Sequence, residues 1–348
     1  MKLRSFIGSR VIKTGIAVLL TAYICKWIGW SPVFAVITAI VTIEPTVSDS
    51  IRKGLIRFPA SGIGAAYAVL FIALFGNSPV TYALSAVFTI STCFRLKLHD
   101  GLLVATITSV AMVDVIHSNY LMEFFIRLFT TTIGLSVSTL VNMFLLPPDY
   151  QKNIQSKVTS IAQELGVLTK DIYHCLLLTD EKSNESKYLN RLLELDKIII
   201  RAEILSRYQT NDTKYHFTEY NQEKFKDLKT QLHFLRIMHY HITNVIDHPK
   251  GRINVNEDEK NELMIVSSYI AQVLKKEIAF NSNDIQDKRT RLNKLFWKEK
   301  HRTHELSKDM LNKLPFELVM LYELISILEL TEDYYMTEEL NEENVNLN

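Results

Sequence analysis

Cysteine is scarce in this 348-residue chain: Cys25, Cys93 and Cys175 share no metal-ligand spacing and make no even disulfide framework. They read as buried small residues, compatible with a reduced compartment. Glycine is also thin, 11 in all. No Gly-rich loop ends in Lys-Ser or Lys-Thr, so nothing cradles the phosphates of a nucleotide. Gly-x-Ser-x-Gly and a catalytic Cys–His pattern are absent as well. His301-x-x-His304-Glu305 shares only its composition with the zinc motif, whose order is His-Glu-x-x-His. His233, His239 and His241 miss the i,i+4 placing of a helical ligand pair, and His248 falls at a helix end beside Pro249. These histidines read as packed or solvated. No enzyme, cofactor or metal is expected. Strand-period alternation is lacking throughout, which leaves an all-α fold.

Charge of one sign is missing overall but not locally. The net charge is +1, yet residues 1–150 carry 11 Lys/Arg against 6 Asp/Glu, and the remainder carries an excess of four acids. A basic first half suits an anionic membrane face, and an acidic second half argues against nucleic-acid binding.

What the first half does have is long apolar runs. A bilayer core takes about 20 mostly apolar residues per helix. Six segments approach this: Val11–Ile28, Pro32–Ser50, Phe58–Phe75, Asn77–Phe94, Gly101–His117 and Phe124–Leu146. Basic residues alternate between them. Lys2, Arg4 and Arg10 precede the first span, and Arg52, Lys53 and Arg57 lie between the second and third. Arg95 and Lys97 lie between the fourth and fifth, and Lys152 and Lys157 follow the sixth. The opposite turns hold Lys26 after the first span, and no Lys or Arg after the third or between His117 and Glu123. Basic loops stay cytoplasmic, so both termini are expected inside, with Trp27 and Trp30 at the outer interface. A cleaved signal peptide fits poorly. Lys13 interrupts the apolar run, no small-x-small site follows Tyr23, and five more spans come after.

The second half reads as helices. Ile154, Val158, Ile161, Leu165, Leu168, Ile172 and Cys175 recur in steps of four and three, one stripe on one face. Further helices are expected over Leu189–Tyr208, Asn221–Ile246, Asn261–Phe280, Thr290–Thr303 and Leu311–Leu330, with Pro249 and Gly251 stopping the third. Lys182–Ser186 and Asn211–Tyr215 read as turns. The expected organisation is a six-helix transmembrane bundle over residues 1–149, a cytoplasmic helical bundle over 150–336, and an acidic, disordered tail over 337–348.

Charges inside the apolar half are costly, about 2.5–3.5 kcal/mol each at mid-bilayer, and those that persist are functional or paired. Lys13, Glu44 and Arg57 fall at the inner level, Asp114 and Arg127 at the outer. The bland interpretation is snorkelling for Lys13 and Arg57 and an Asp114–Arg127 ion pair. The functional one is a solute pathway with charged ends. Pro45, directly after Glu44, removes a backbone donor and breaks the helix, as transporters do where backbone meets solute. Ser61, Gly62, Gly64, Ala65, Ala66 and Ala68 make a small-residue face for close helix packing. Thr130, Thr131, Thr132, Ser136, Ser138, Thr139 and Asn142 turn the sixth span toward a cavity or a neighbour.

Several pieces together resemble the aromatic acid exporter family, the fusaric-acid-resistance-like group of six-span bacterial proteins. They are Arg10-Val-Ile-Lys13-Thr14, Ile43-Glu44-Pro45-Thr46-Val47 with Ser50, and Arg57 followed by Gly64-Ala65. Cys93-Phe94-Arg95-Leu96-Lys97-Leu98, Arg127 with Ile133-Gly134, Val141-Asn142 and Pro147-Pro148 complete the set. The match covers residues 1–150 in order, and the remainder looks like the helical C-terminal domain of the short, Gram-positive-type members. The resemblance implies a multi-pass protein of the bacterial plasma membrane that exports aromatic carboxylic acids. It also implies kinship with plant aluminium-activated malate channels, which are dimers. Glu44 stands where the family has Gln before Pro-Thr-Val, and Ala60-Ser61 stands for Gly-Thr; an acidic Glu44 favours proton coupling.

The expected function is a transporter or channel for small organic anions. Arg57 and Arg127 would attract carboxylate, Glu44 or Asp114 would carry a proton, and Phe58, Tyr67 and Phe129 would contact a ring. Six spans are few for one path, so a homodimer in membrane lipid is expected. The rival is a membrane-anchored scaffold or regulator acting through its helical half.

Overall fold

The computed structural model describes residues 8–115, 119–145, 150–178, 185–212, 222–248, 255–306 and 315–346. Lys2, Arg4, His117, residues 146–148, the expected turn residues 182–184 and 213–215, Pro249, Gly251 and Leu311 lie outside them. The described residues are helical almost throughout, without a strand. Two compact units divide the chain: Met1–Asp149 with Tyr208–Thr218, and Tyr150–Arg207 with Glu219–Asn348.

The first unit contains α1 (Ser9–Ile28), α2 (Val33–Thr42), α3 (Val47–Phe75), α4 (Pro79–Arg95), a 3-10 turn (His99–Gly101), α5 (Leu102–Val115) and α6 (Tyr120–Phe144). Three of these helices, α1, α3 and α6, are long and apolar enough to cross a membrane. The other three have 10, 17 and 14 residues, at or below the floor of about 17 for a span. Among the described residues, three of the six expected segments thus qualify as spans by length and composition. Pro45 accounts for the shortness of α2. It splits the run Pro32–Ser50, leaving α2 short and giving residues from Val47 onward to α3. The 29 residues of α3 extend about 43 Å at 1.5 Å each, well beyond a hydrocarbon core of about 30 Å. Arg52, Lys53 and Arg57, expected in a loop, are thus on α3 itself.

Small residues set the packing. A Cβ on Gly64 would run into the Ala105 carbonyl of α5, and one on Gly134 into the Ala35 carbonyl of α2. Helix backbones touch at both places, as small residues allow. Ser61, Gly64, Ala65 and Ala68 are buried along α3, whereas Ala66 points outward. Large apolar side chains remain outside: Trp27 is 83% exposed and Leu121 72%. For this unit an apolar exterior is the expected counterpart of lipid.

The second unit is built from α7 (Gln151–Leu178), α8 (Glu185–Asp212), α9 (Gln222–Asp247), α10 (Glu257–Leu274), α11 (Ser282–Leu306) and α12 (Phe316–Asn346). Its core takes in the predicted stripe of α7 from Ile154 to Ile172, all buried, with Leu192, Leu235, Val266, Leu324 and Ile327. Asn211 and Asp212 close α8 rather than starting a turn. The acidic segment from Thr337, expected to be disordered, continues α12 as far as Asn346. Glu and Leu are strong helix formers, and the Thr337 hydroxyl bonds back to the Asp333 carbonyl at 2.8 Å.

Candidate functional site

The break between α2 and α3 follows from local chemistry. Pro45 has no N–H, and the residue before a proline avoids the helical region. The helix has already ended at Ile43, which is extended, two residues before the proline; Thr46 takes β geometry and caps α3, its hydroxyl accepting from the Asp49 amide at 3.0 Å. The peptide groups freed here are gathered by one side chain of α6. Asn142 Nδ2 donates to the Glu44 carbonyl (3.1 Å), the Thr46 carbonyl (3.2 Å) and Ser50 Oγ (2.9 Å). Its Oδ1 accepts from Lys13 Nζ at 2.8 Å.

Glu44 sits between two cations. Arg57 Nη2 donates to its Oε1 at 2.7 Å and Lys53 Nζ to its Oε2 at 3.0 Å. Arg57 also donates from Nε to the Asp100 carbonyl (3.2 Å) and from Nη1 to the Val41 carbonyl (3.1 Å). Lys13, Glu44 and Arg57 thus meet in one network around the broken helix. Neither cation snorkels: Lys13 is 5% exposed and Arg57 6%, both turned inward to protein acceptors. Each of the three guanidinium nitrogens of Arg57 thus donates to a protein acceptor.

At the other end of the bundle the expected Asp114–Arg127 pair does not form among the described residues. Asp114 is exposed and accepts from the Tyr82 hydroxyl. Arg127 is 3% exposed, and its Nη2 donates to Thr108 Oγ1. Six residues separate Thr108 from Asp114, which puts them about 120° apart around α5; one guanidinium cannot face both. The guanidinium carbon lies 4.4 Å from the centre of the Phe34 ring. Nε and Nη1 meet no hydrogen-bond acceptor among the described residues. Hydroxyls line the place: Ser61 is 3.3 Å from both Thr108 and Thr131, whose own hydroxyl donates to the Arg127 carbonyl at 2.8 Å.

One face of α6 joins the two ends. Arg127, Thr131, Gly134, Ser138 and Asn142 are all buried, and from first to last they cover about 22 Å. Thr132 and Ser136, read in sequence as part of the same polar span, lie on its exposed side. Midway, the Gly134–Ala35 contact closes the gap between α2 and α6.

Phe34 was not legible as a site residue, since nothing in an apolar run marks which ring will lie under an arginine. The rings picked from sequence are elsewhere: Phe58 and Phe129 are 40% and 57% exposed, and the Tyr67 hydroxyl is bonded to Thr92 at 2.8 Å.

The arrangement is a buried cation with unused donors, an aromatic face and neighbouring hydroxyls. Residues 5–145 match the family model described as aromatic acid exporter family member 1. A UPF0421 protein of Oceanobacillus iheyensis is 88% identical over 346 residues, 99% of this chain and 100% of that one. One from Bacillus cereus is 40% identical over 337 residues (94% and 93%), and one from Staphylococcus haemolyticus 35% over 327 (92% and 96%).

Proposed function

The chain belongs to the aromatic acid exporter family, and from that premise we propose that it is a multi-pass transporter or channel that moves small aromatic carboxylates out across the bacterial plasma membrane. The observation that carries this is Arg127. A guanidinium with two unpartnered nitrogens at 3% exposure costs stability unless something else completes it. A carboxylate is the natural acceptor for such a guanidinium, and the Phe34 ring beneath it suits an aromatic acid. In this reading all six helices of the first unit sit in the membrane, with the shorter α2, α4 and α5 completing the bundle. The basic end, with Lys13 and Arg57, faces the cytoplasm together with both termini and the second unit. Two copies pair in lipid to complete the path. Glu44, held between Lys53 and Arg57, is the group whose protonation would release Arg57 and couple export to the proton gradient.

The test is flux of 4-hydroxybenzoate in proteoliposomes under an imposed pH gradient, with Arg127→Met and Glu44→Gln beside the wild type. Gradient-driven flux that Arg127→Met abolishes and Glu44→Gln uncouples is the expected result. Absence of flux for any aromatic acid with folded protein would turn the assignment toward a membrane-anchored scaffold.

A further inference from the structure

At the basic end of the first unit, the start of α3 is capped from far along the chain. The first four amides of a helix have no partner inside it. That of Asp49 goes to the Thr46 hydroxyl at 3.0 Å, and Ser50 makes the first ordinary helical bond, to the Thr46 carbonyl at 3.1 Å. Those of Val47 and Ser48 go to Asp212 Oδ1, at 2.8 and 3.4 Å, across 165 and 164 positions. Asp212 is fully buried, and its charge also acts on the Lys13 ammonium. It is the last residue of α8. The final turn of α8, Tyr208–Asp212, belongs to the first unit, while the helix up to Arg207 belongs to the second.

A buried carboxylate is tolerated there because helix-terminal amides, the α3 dipole and a nearby ammonium hold it. These are the groups that a solute carboxylate would meet on its way past the broken helix, where Asn142, Glu44 and Arg57 also converge. Resting on the transport reading above, we propose that Asp212 is a tethered carboxylate that closes the inner end of the path, and that its withdrawal with the end of α8 opens it. The helical unit would then control transport through its own chain, with an internal carboxylate standing where the solute's must pass. A simple structural cap predicts something different: losing it would weaken α3 and lower flux.

The experiment uses the full chain in vesicles and two readouts. Val47, at 0% exposure beside the cap, is replaced by cysteine, and its labelling by a membrane-impermeant maleimide from the inner face is timed against the chain that retains Val47. Asp212→Ala should speed labelling about tenfold, as befits loss of charge-assisted hydrogen bonds. Asp212→Asn, which keeps an acceptor and loses the charge, should lie between. Flux of 4-hydroxybenzoate, measured without the introduced cysteine, should rise in the same order. Labelling that stays slow in both variants overturns the proposal whatever the flux does. Faster labelling with unchanged or lower flux, in a protein that does transport, also overturns it and leaves Asp212 as a cap. If no variant carries flux, the transport reading is what fails, and the labelling alone decides whether Asp212 closes this end.

Discussion

Replacing Arg127 by methionine separates a functional cation from a structural one. Removing one partner of a well-bonded buried ion pair costs about 3–5 kcal/mol. Arg127 is not in that position. What Arg127→Met loses is one hydrogen bond to Thr108, about 1.5–3 kcal/mol for a charged donor, and the Phe34 contact at 4.4 Å, about 2 kcal/mol when desolvated. What it relieves is the burial of two nitrogens without acceptors, about 1–3 kcal/mol each and more on a charged group. Methionine fills similar space with an adaptable apolar chain. The terms nearly cancel, so the variant should be within about 1 kcal/mol of wild type or up to about 2 kcal/mol more stable. Denaturant unfolding in detergent micelles measures this. A second arm adds 4-hydroxybenzoate. At 100 times its Kd a ligand stabilises by about 2.7 kcal/mol, and that gain should appear in wild type and vanish in Arg127→Met. A variant destabilised by 3 kcal/mol or more, or one that keeps the ligand shift, would refute the assignment of Arg127 as the carboxylate receptor.

Asn142→Leu removes the hub that joins Lys13 to the broken helix. With about 0.6 kcal/mol for each of three ordinary bonds between membrane helices and about 1.5–3 for the charged one, it should destabilise by about 3–5 kcal/mol in the same unfolding assay. A loss under about 1 kcal/mol would mean the network is ornamental. Gly134→Val should cost about 1–3 kcal/mol by overpacking, because its Cβ meets the Ala35 carbonyl and Thr38 Cβ. Gly15→Ala, with open space around its Cβ, should instead gain about 0.5–1 kcal/mol; equal effects at both positions would count against the α2–α6 contact. In the second unit, burial pushes the Glu299 carboxyl up, helped by Glu259 and Glu317 and opposed by Arg302. A raised folded-state pKa means the folded chain binds more protons than the unfolded one, so stability should fall as pH rises from the ordinary carboxylate range through the folded value. Glu299→Gln should flatten that slope in thermal unfolding followed against pH; an unchanged slope would assign it to another group.

How far the sequence reveals this protein depends on the range of the interaction concerned. The break at Pro45 is legible because a missing N–H acts on its neighbours alone. The stripe of α7 is legible because period and burial are the same fact seen twice. The meeting of Glu44 with Arg57 follows almost as directly: both lie at one depth, and 13 residues of chain separate them. Depth alone was not enough for Asp114 and Arg127. Two charges at one level pair only if the helices turn them toward each other, and that rotation is set by Gly64 against Ala105 and Gly134 against Ala35, contacts no local pattern announces. The break at Pro45 leaves α2 with 10 residues, fewer than the apolar run from Pro32 to Ser50 suggests, because the run is read by its hydropathy and continues past the proline. Asp212 lies furthest beyond reach: in sequence it reads as part of the turn Asn211–Tyr215, and its burial depends on meeting an amide 165 positions earlier. A carboxylate fully withdrawn from water at the end of a 28-residue helix is costly wherever it is not held. Its place at the start of α3 therefore depends on the amides that hold it there, a long-range condition that local composition does not display.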